Sequence, residues 1–170
     1  RLEEARALFA SVCSTDPIDV EAWVKLSITQ GRLGQSADAE ASGRRAVRLA
    51  PGTALAHHAL AFALQCQGKH EEGIFEYAQA IERQPDYPDS HFLLGSSLMA
   101  IGNLQDAERS LRRALALRPN FFEALSDLGA LLLNLNQLEE ANVVLQRALL
   151  SNPRSLEVMA NLGSLKEQLG

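Results

Sequence analysis

Five of the six prolines, Pro17, Pro51, Pro85, Pro119 and Pro153, stand 34 residues apart without an insertion, and only Pro88 lies outside the series. Proline lacks an N–H and disfavours helical geometry in the residue before it, so each of the five marks the close of a helix. A fixed period of this length means copies of one supersecondary unit, none of which can bury its apolar face alone. Stacked copies form a core between neighbours and leave a long surface open. Such a chain is built to hold a partner rather than to convert a substrate.

Other positions keep the same beat when the units are started at residues 20, 54, 88, 122 and 156. The fourth position is Trp23, His57, His91, Leu125 and Met159. The seventh is leucine throughout: Leu26, Leu60, Leu94, Leu128 and Leu162. The eighth is small: Ser27, Ala61, Gly95, Gly129 and Gly163. The twentieth is Ala5, Ala39, Gly73, Ala107 and Ala141. A leucine at a fixed place reads as the seam between paired helices. Small residues at two fixed places read as points where helix backbones approach, since a larger side chain there overpacks by roughly 1–3 kcal/mol. Gly34, Gly68 and Gly102 fall where a left-handed turn residue is needed. Asn136 and Gly170 hold the same place in the last two units.

This arrangement resembles the tetratricopeptide repeat pattern W-x2-L-G-x2-Y…A-x3-F…P over the whole chain. It is similar to the arrays of bacterial scaffolds and of O-GlcNAc-transferase-like and sulfotransferase-like enzymes. The resemblance implies an all-α, right-handed α-solenoid of helix-turn-helix repeats, with ten helices of about 12–15 residues in antiparallel pairs. Residues 1–19 hold the second helix of a partial repeat, 20–53, 54–87, 88–121 and 122–155 are full repeats, and 156–170 hold the first helix of another. The whole is one array. Departures from the pattern fall at the eleventh position, with Gln30, Leu64, Leu98, Leu132 and Lys166, and at the twenty-fourth, with Phe9, Gly43, Tyr77, Leu111 and Leu145. Gly43 inside a helix costs about 1 kcal/mol relative to Ala, so the 36–50 helix is expected to be the weakest.

Hydrophobic content of 46% with 22% charged residues fits a folded water-facing chain, and no apolar run is long enough to span a bilayer. The net charge of −5 argues against nucleic acid as a partner. Cys13 and Cys66 read as free thiols, which points to a reducing, cytoplasmic setting. No phosphate loop, G-x-S-x-G, C-x-x-C or H-E-x-x-H appears. The expectation is therefore a protein that is not an enzyme, with no catalytic set, no cofactor and no metal. His57 and His91 share the fourth position, where a packed ring is the simpler account than a ligand. Glu3-Glu4, Glu71-Glu72 and Glu139-Glu140 recur at one phase and read as acidic first turns favoured by the helix dipole. The groups Arg44, Arg45, Arg48 and Arg109, Arg112, Arg113 read as a solvated outer wall.

In the family, the first helix of each pair lines a concave groove. Carried onto this chain, those positions place Val24, Ile28, His58, Phe62, Phe92, Met99, Asp127 and Asn161 as candidate peptide-binding residues. The first three units then offer an apolar trough and the last two a polar, acidic stretch. Chaperone-binding members grip a carboxylate with paired basic residues. The matching positions here lack that pair. The Asn ladder of the glycosyltransferase members is represented by Asn161 alone.

Three functions follow from the resemblance. One is a scaffold that binds a protein, as a peptide or a helix, in the groove. Another is the substrate-recruiting arm of a larger enzyme. The third is an element that stacks end to end. Residues 1–14 lack a first helix before them and 156–169 a second helix after them. This predicts either a longer protein or ends covered by another chain. Five periods of 34 fill the 170 residues, so a second copy continues the register. The expected contact is between Leu2, Leu8 and Phe9 of one chain and Leu162 and Leu165 of another.

Overall fold

The structure is a computed structural model that describes residues 1–169. Among the described residues there are ten helices and no strand. The chain divides into two compact units, Arg1–Asp86 and Tyr87–Gly170. The first holds α1 (Leu2–Thr15), α2 (Val20–Arg32), α3 (Ser36–Leu49), α4 (Ala54–Gln65) and α5 (His70–Arg83). The second holds α6 (Pro88–Ala100), α7 (Leu104–Leu117), α8 (Phe122–Asn134), α9 (Leu138–Ser151) and α10 (Leu156–Leu169). Within each unit a helix packs on the next in the chain. First helices also pack on first helices, α2 on α4 and α8 on both α6 and α10.

Local chemistry sets the boundaries. The residues before the periodic prolines, Asp16, Ala50, Gln84, Arg118 and Asn152, are extended, with φ between −129° and −142° and ψ between 74° and 89°. This is the geometry that proline imposes on its predecessor, and it closes the helix. Inside each pair, Gly34, Gly68, Gly102 and Asn136 carry positive φ, between 58° and 78°. The next residue then donates its N–H back into the helix: Gln35 to Gln30, Lys69 to Leu64, Asn103 to Leu98 and Gln137 to Leu132, at 2.9–3.0 Å. These are Schellman closures, which require a left-handed residue at the turn. Gly170, expected to fill the same place in the last unit, lies outside the described residues.

The small eighth position meets the twenty-fourth. A Cβ placed on Gly95 would stand 2.9 Å from Leu111 Cγ, and one on Gly129 would stand 2.7 Å from Leu145 Cγ. In the first pair both positions are small. Ser27 takes the eighth position, donating its hydroxyl to the Ala39 carbonyl at 2.7 Å, and Gly43 takes the twenty-fourth. A Cβ on Gly43 would lie 2.8 Å from the Cα of Leu60. Gly43 is thus a point of close approach between α3 and α4, and its absent side chain is a condition of that packing. The expectation of a weak helix, drawn from propensity alone, omitted this. Leu60, Leu64 and Tyr77 fill the core of the first unit, and Leu111, Leu125, Leu128, Leu132 and Leu145 that of the second, each no more than 2% exposed.

Arginine does more than solvate the wall. Arg44 joins Glu40, at 2.6 Å, to Glu72, at 3.4 Å. Two repeats later, Arg112 joins Glu108, at 2.8 Å, to Glu140, at 2.6 Å. The acidic first turns and the arginine groups, read separately in the sequence, are partners across neighbouring second helices. Arginine also caps the periodic prolines: Arg45 donates to the Pro17 carbonyl, Arg83 to that of Pro51 and Arg147 to that of Pro119, at 3.2, 3.0 and 2.9 Å. The ring at the fourth position donates to the same carbonyls, Trp23 Nε1 to Pro17 at 3.1 Å and His57 Nε2 to Pro51 at 2.8 Å. A histidine stands in for the tryptophan because it too carries a ring N–H. Its Nδ1 meets Glu76 Oε2 at 2.6 Å.

Candidate functional site

Val20, Val24 and Ile28 are spaced one turn apart along α2, so they share a face. Asp19 fixes where that helix starts by accepting the Ala22 N–H at 3.0 Å. Opposite lie Ala50 and Thr53, from the turn between α3 and α4, and Leu55, in the first turn of α4. Together they enclose an apolar cleft of about 510 Å³. Its floor is continuous with the core, because Val24 packs with Ala46, Ala56 and Ala59. Leu55 remains 43% exposed at the mouth. Glu21 and Lys25 stand on the rim, bonded to each other at 2.6 Å.

Of the residues expected on the groove, Val24 and Ile28 meet in this cleft. His58 is not among the residues that line this cleft. It is 6% exposed, packed edge-on to Tyr77 at 5.7 Å, because α4 and α5 approach closely enough to take the ring in. Phe62 is half-buried and lies over Gly31, where a Cβ would stand 2.8 Å from its ring. That ring is packing between the first helices α2 and α4. In the second unit, Phe92 is half-buried against Phe121, with centroids 4.9 Å apart. The Arg118 guanidinium covers the Phe121 ring at 4.3 Å and pairs with Asp89 at 2.6 Å. Met99 and Asn161 are half-buried. Burial, with Glu157 and Glu123 adding to it, pushes the Asp127 carboxyl up to about 6.

Sequence reading missed Val20, Ala50 and Thr53. Val20 had a signal, since it precedes Val24 by one helical turn. Ala50 and Thr53 belong to a turn between repeats, and no helical periodicity reaches them. Among the described residues, no group of three His, Cys, Asp or Glu side chains is placed to hold a metal ion. No described helix is long and apolar enough to cross a membrane.

Of the expected end-to-end residues, Leu165 is covered from within its own unit, at 1% exposure. It has no free surface to offer, because α10 lays it against the helices that α10 packs on, α8 and α9. Leu162 and Phe9 are half-buried, and Leu2 and Leu8 are exposed. Gly163 faces open space, unlike Gly95 and Gly129.

No curated protein matches the chain in sequence. Solved structures do resemble it. One is TTC0263, a thermophilic TPR protein of Thermus thermophilus, 27% identical with a TM-score of 0.80, over 97% of this chain and 90% of that one. Another is the first TPR of Spaghetti (RPAP3), bound to the HSP90 peptide SRMEEVD, 26% identical with a TM-score of 0.67, over 69% of this chain and 93% of that one. The fold is also that of YrrB, a TPR protein with an unusual peptide-binding site, 19% identical with a TM-score of 0.76, over 94% of this chain and 82% of that one. Two tetratricopeptide repeat profiles match residues 58–122 and 98–165. With the helix pairs, the turn geometry and the packing of small residues, they establish that the chain belongs to the tetratricopeptide repeat family.

Proposed function

We propose that this chain is a protein-interaction scaffold that holds a partner segment by apolar side chains in the cleft between α2 and α4. The observation that carries this reading is the cleft itself. Its apolar lining leads straight into the core, its rim charges are already paired, and Leu55 is left exposed at its mouth. An apolar concavity of this kind on a folded chain marks a binding site. The similar domain of Spaghetti holds a peptide. The carboxylate-gripping mode is not expected here, since the basic pair it needs is absent from the matching positions. Peptides selected from a displayed library on this chain test the reading. Their binding should fall at least tenfold with Leu55→Asp and Ile28→Asp combined, with the helical circular dichroism signal unchanged. Selected peptides that bind both proteins equally would overturn it.

End-to-end association is a second reading with its own observation. Gly95 and Gly129 are each covered by a leucine of the following helix, whereas Gly163 is open. Phe9 stands at the repeat position of those leucines, so α1 of a second copy has the residue that would cover Gly163. Sedimentation of the chain over a concentration series should reveal association that Gly163→Leu removes. A monomer throughout, or association indifferent to that substitution, would sink this reading.

A further inference from the structure

We infer that the occupant of the α2–α4 cleft is an amphipathic helix rather than an extended peptide. This rests on the proposal that the cleft is the binding site, and it names the partner's conformation. The floor is a stripe, not a socket. Val20, Val24 and Ile28 run along α2 for about 12 Å, at 1.5 Å per residue. A helix laid beside α2 presents apolar side chains at nearly the same intervals, at i, i+4 and i+7.

The polar inventory of the lining decides between the two shapes. An extended segment brings one N–H and one C=O per residue, and each needs a partner once water is excluded. Among the lining residues, Glu21 and Lys25 are bonded to each other. Thr53 is the one uncharged polar side chain there. The cleft has no row of side-chain amides to receive a main chain. A helix needs none, because its backbone groups are satisfied internally. The paired rim also carries no net charge, so the face that enters is apolar and the occupant's charges stay outside.

Two displayed libraries test this. In one, the residues at i, i+4 and i+7 of an alanine–glutamine helix are randomised. In the other, the same residues are randomised in a backbone interrupted by proline, which breaks helices. Selection on the whole chain should enrich apolar residues from the helical library only. The winners should gain helical circular dichroism on binding and lose roughly tenfold or more in affinity against Leu55→Asp. Leu55 is exposed at the cleft mouth, so that variant is expected to fold. Enrichment from the interrupted library, equal or greater and still sensitive to Leu55→Asp, would overturn the helical occupant and leave the cleft as the site. Enrichment from neither library, or winners indifferent to Leu55→Asp, would overturn the cleft reading together with it.

Discussion

Leu145 occupies the space a side chain at Gly129 would need: a Cβ there would stand 2.7 Å from the leucine Cγ. Both residues are buried, one on α8 and the other on α9. Gly129→Leu should therefore destabilise the fold by roughly 1–3 kcal/mol through overpacking. Gln105→Ala, on an exposed stretch of α7, should stay within about 0.5 kcal/mol. Urea melts of the two variants make the comparison.

At Gly43 the local and the tertiary preferences oppose each other. Helix propensity alone predicts that Gly43→Ala stabilises by about 1 kcal/mol. The 2.8 Å approach to the Leu60 Cα predicts the reverse sign, since the added methyl forces α3 away from α4. Thermal or denaturant melts should record a loss of stability. A gain would mean that α3 and α4 can separate freely.

His57 is held at both ring nitrogens, by Glu76 and by the Pro51 carbonyl. His57→Leu leaves a largely buried carboxylate without its partner, a change that should cost about 1–3 kcal/mol. Adding Glu76→Gln should cost less in that background than it does alone, because the pair acts as a unit. A double-mutant cycle with no coupling would refute the pairing.

Two carboxyls should give opposite pH signatures. The hydrogen bond from Lys69, joined by those from Arg44 and Gln67, holds Glu40 at about 2. A depressed carboxyl contributes stability above its ordinary value near 4.5 and loses it as pH falls towards 2. The gap in stability between the native chain and Glu40→Gln should thus be widest above about pH 5 and close on acidification.

Asp127 is raised to about 6, first by burial and then by Glu157 and Glu123. Its charge therefore opposes folding above that pH. Asp127→Asn should stabilise the chain by about 1–3 kcal/mol at neutral pH, with the gain vanishing below about pH 4, where the native carboxyl is protonated folded or unfolded.

Much of the fold was legible in the sequence because its signals are local. A proline, a left-handed glycine or a leucine at a fixed phase acts through its own turn of backbone. Pro51, Gly68 and Leu60 could be placed without knowing anything distant. The bonds between repeats were not legible in this way. Arg44 and Glu72 are 28 residues apart, and their pairing depends on how two second helices lie side by side. The family resemblance put His58 and Phe62 on the groove side of α4. It could not register that Tyr77 packs against one ring or that Gly31 leaves room for the other. The cleft was half legible: α2 announced Val24 and Ile28, whereas the turn that supplies Ala50 and Thr53 carries no period.

The contact at Gly43 also bears on how the chain can drift. At Gly95 and Gly129 the nearest atoms that crowd a larger residue belong to the side chains of Leu111 and Leu145, with the Ala107 carbonyl oxygen at 3.3 Å as a further neighbour of Gly95. A smaller residue opposite would reopen the space, so these sites can exchange volume by paired substitution. At Gly43 the nearest atoms are the Cα and N of Leu60, which every amino acid carries. No replacement at residue 60 can make room. The contact between α3 and α4 is fixed by main chain, whereas those at Gly95 and Gly129 are set largely by side chains, and Gly43 should be the last of these glycines to be replaced.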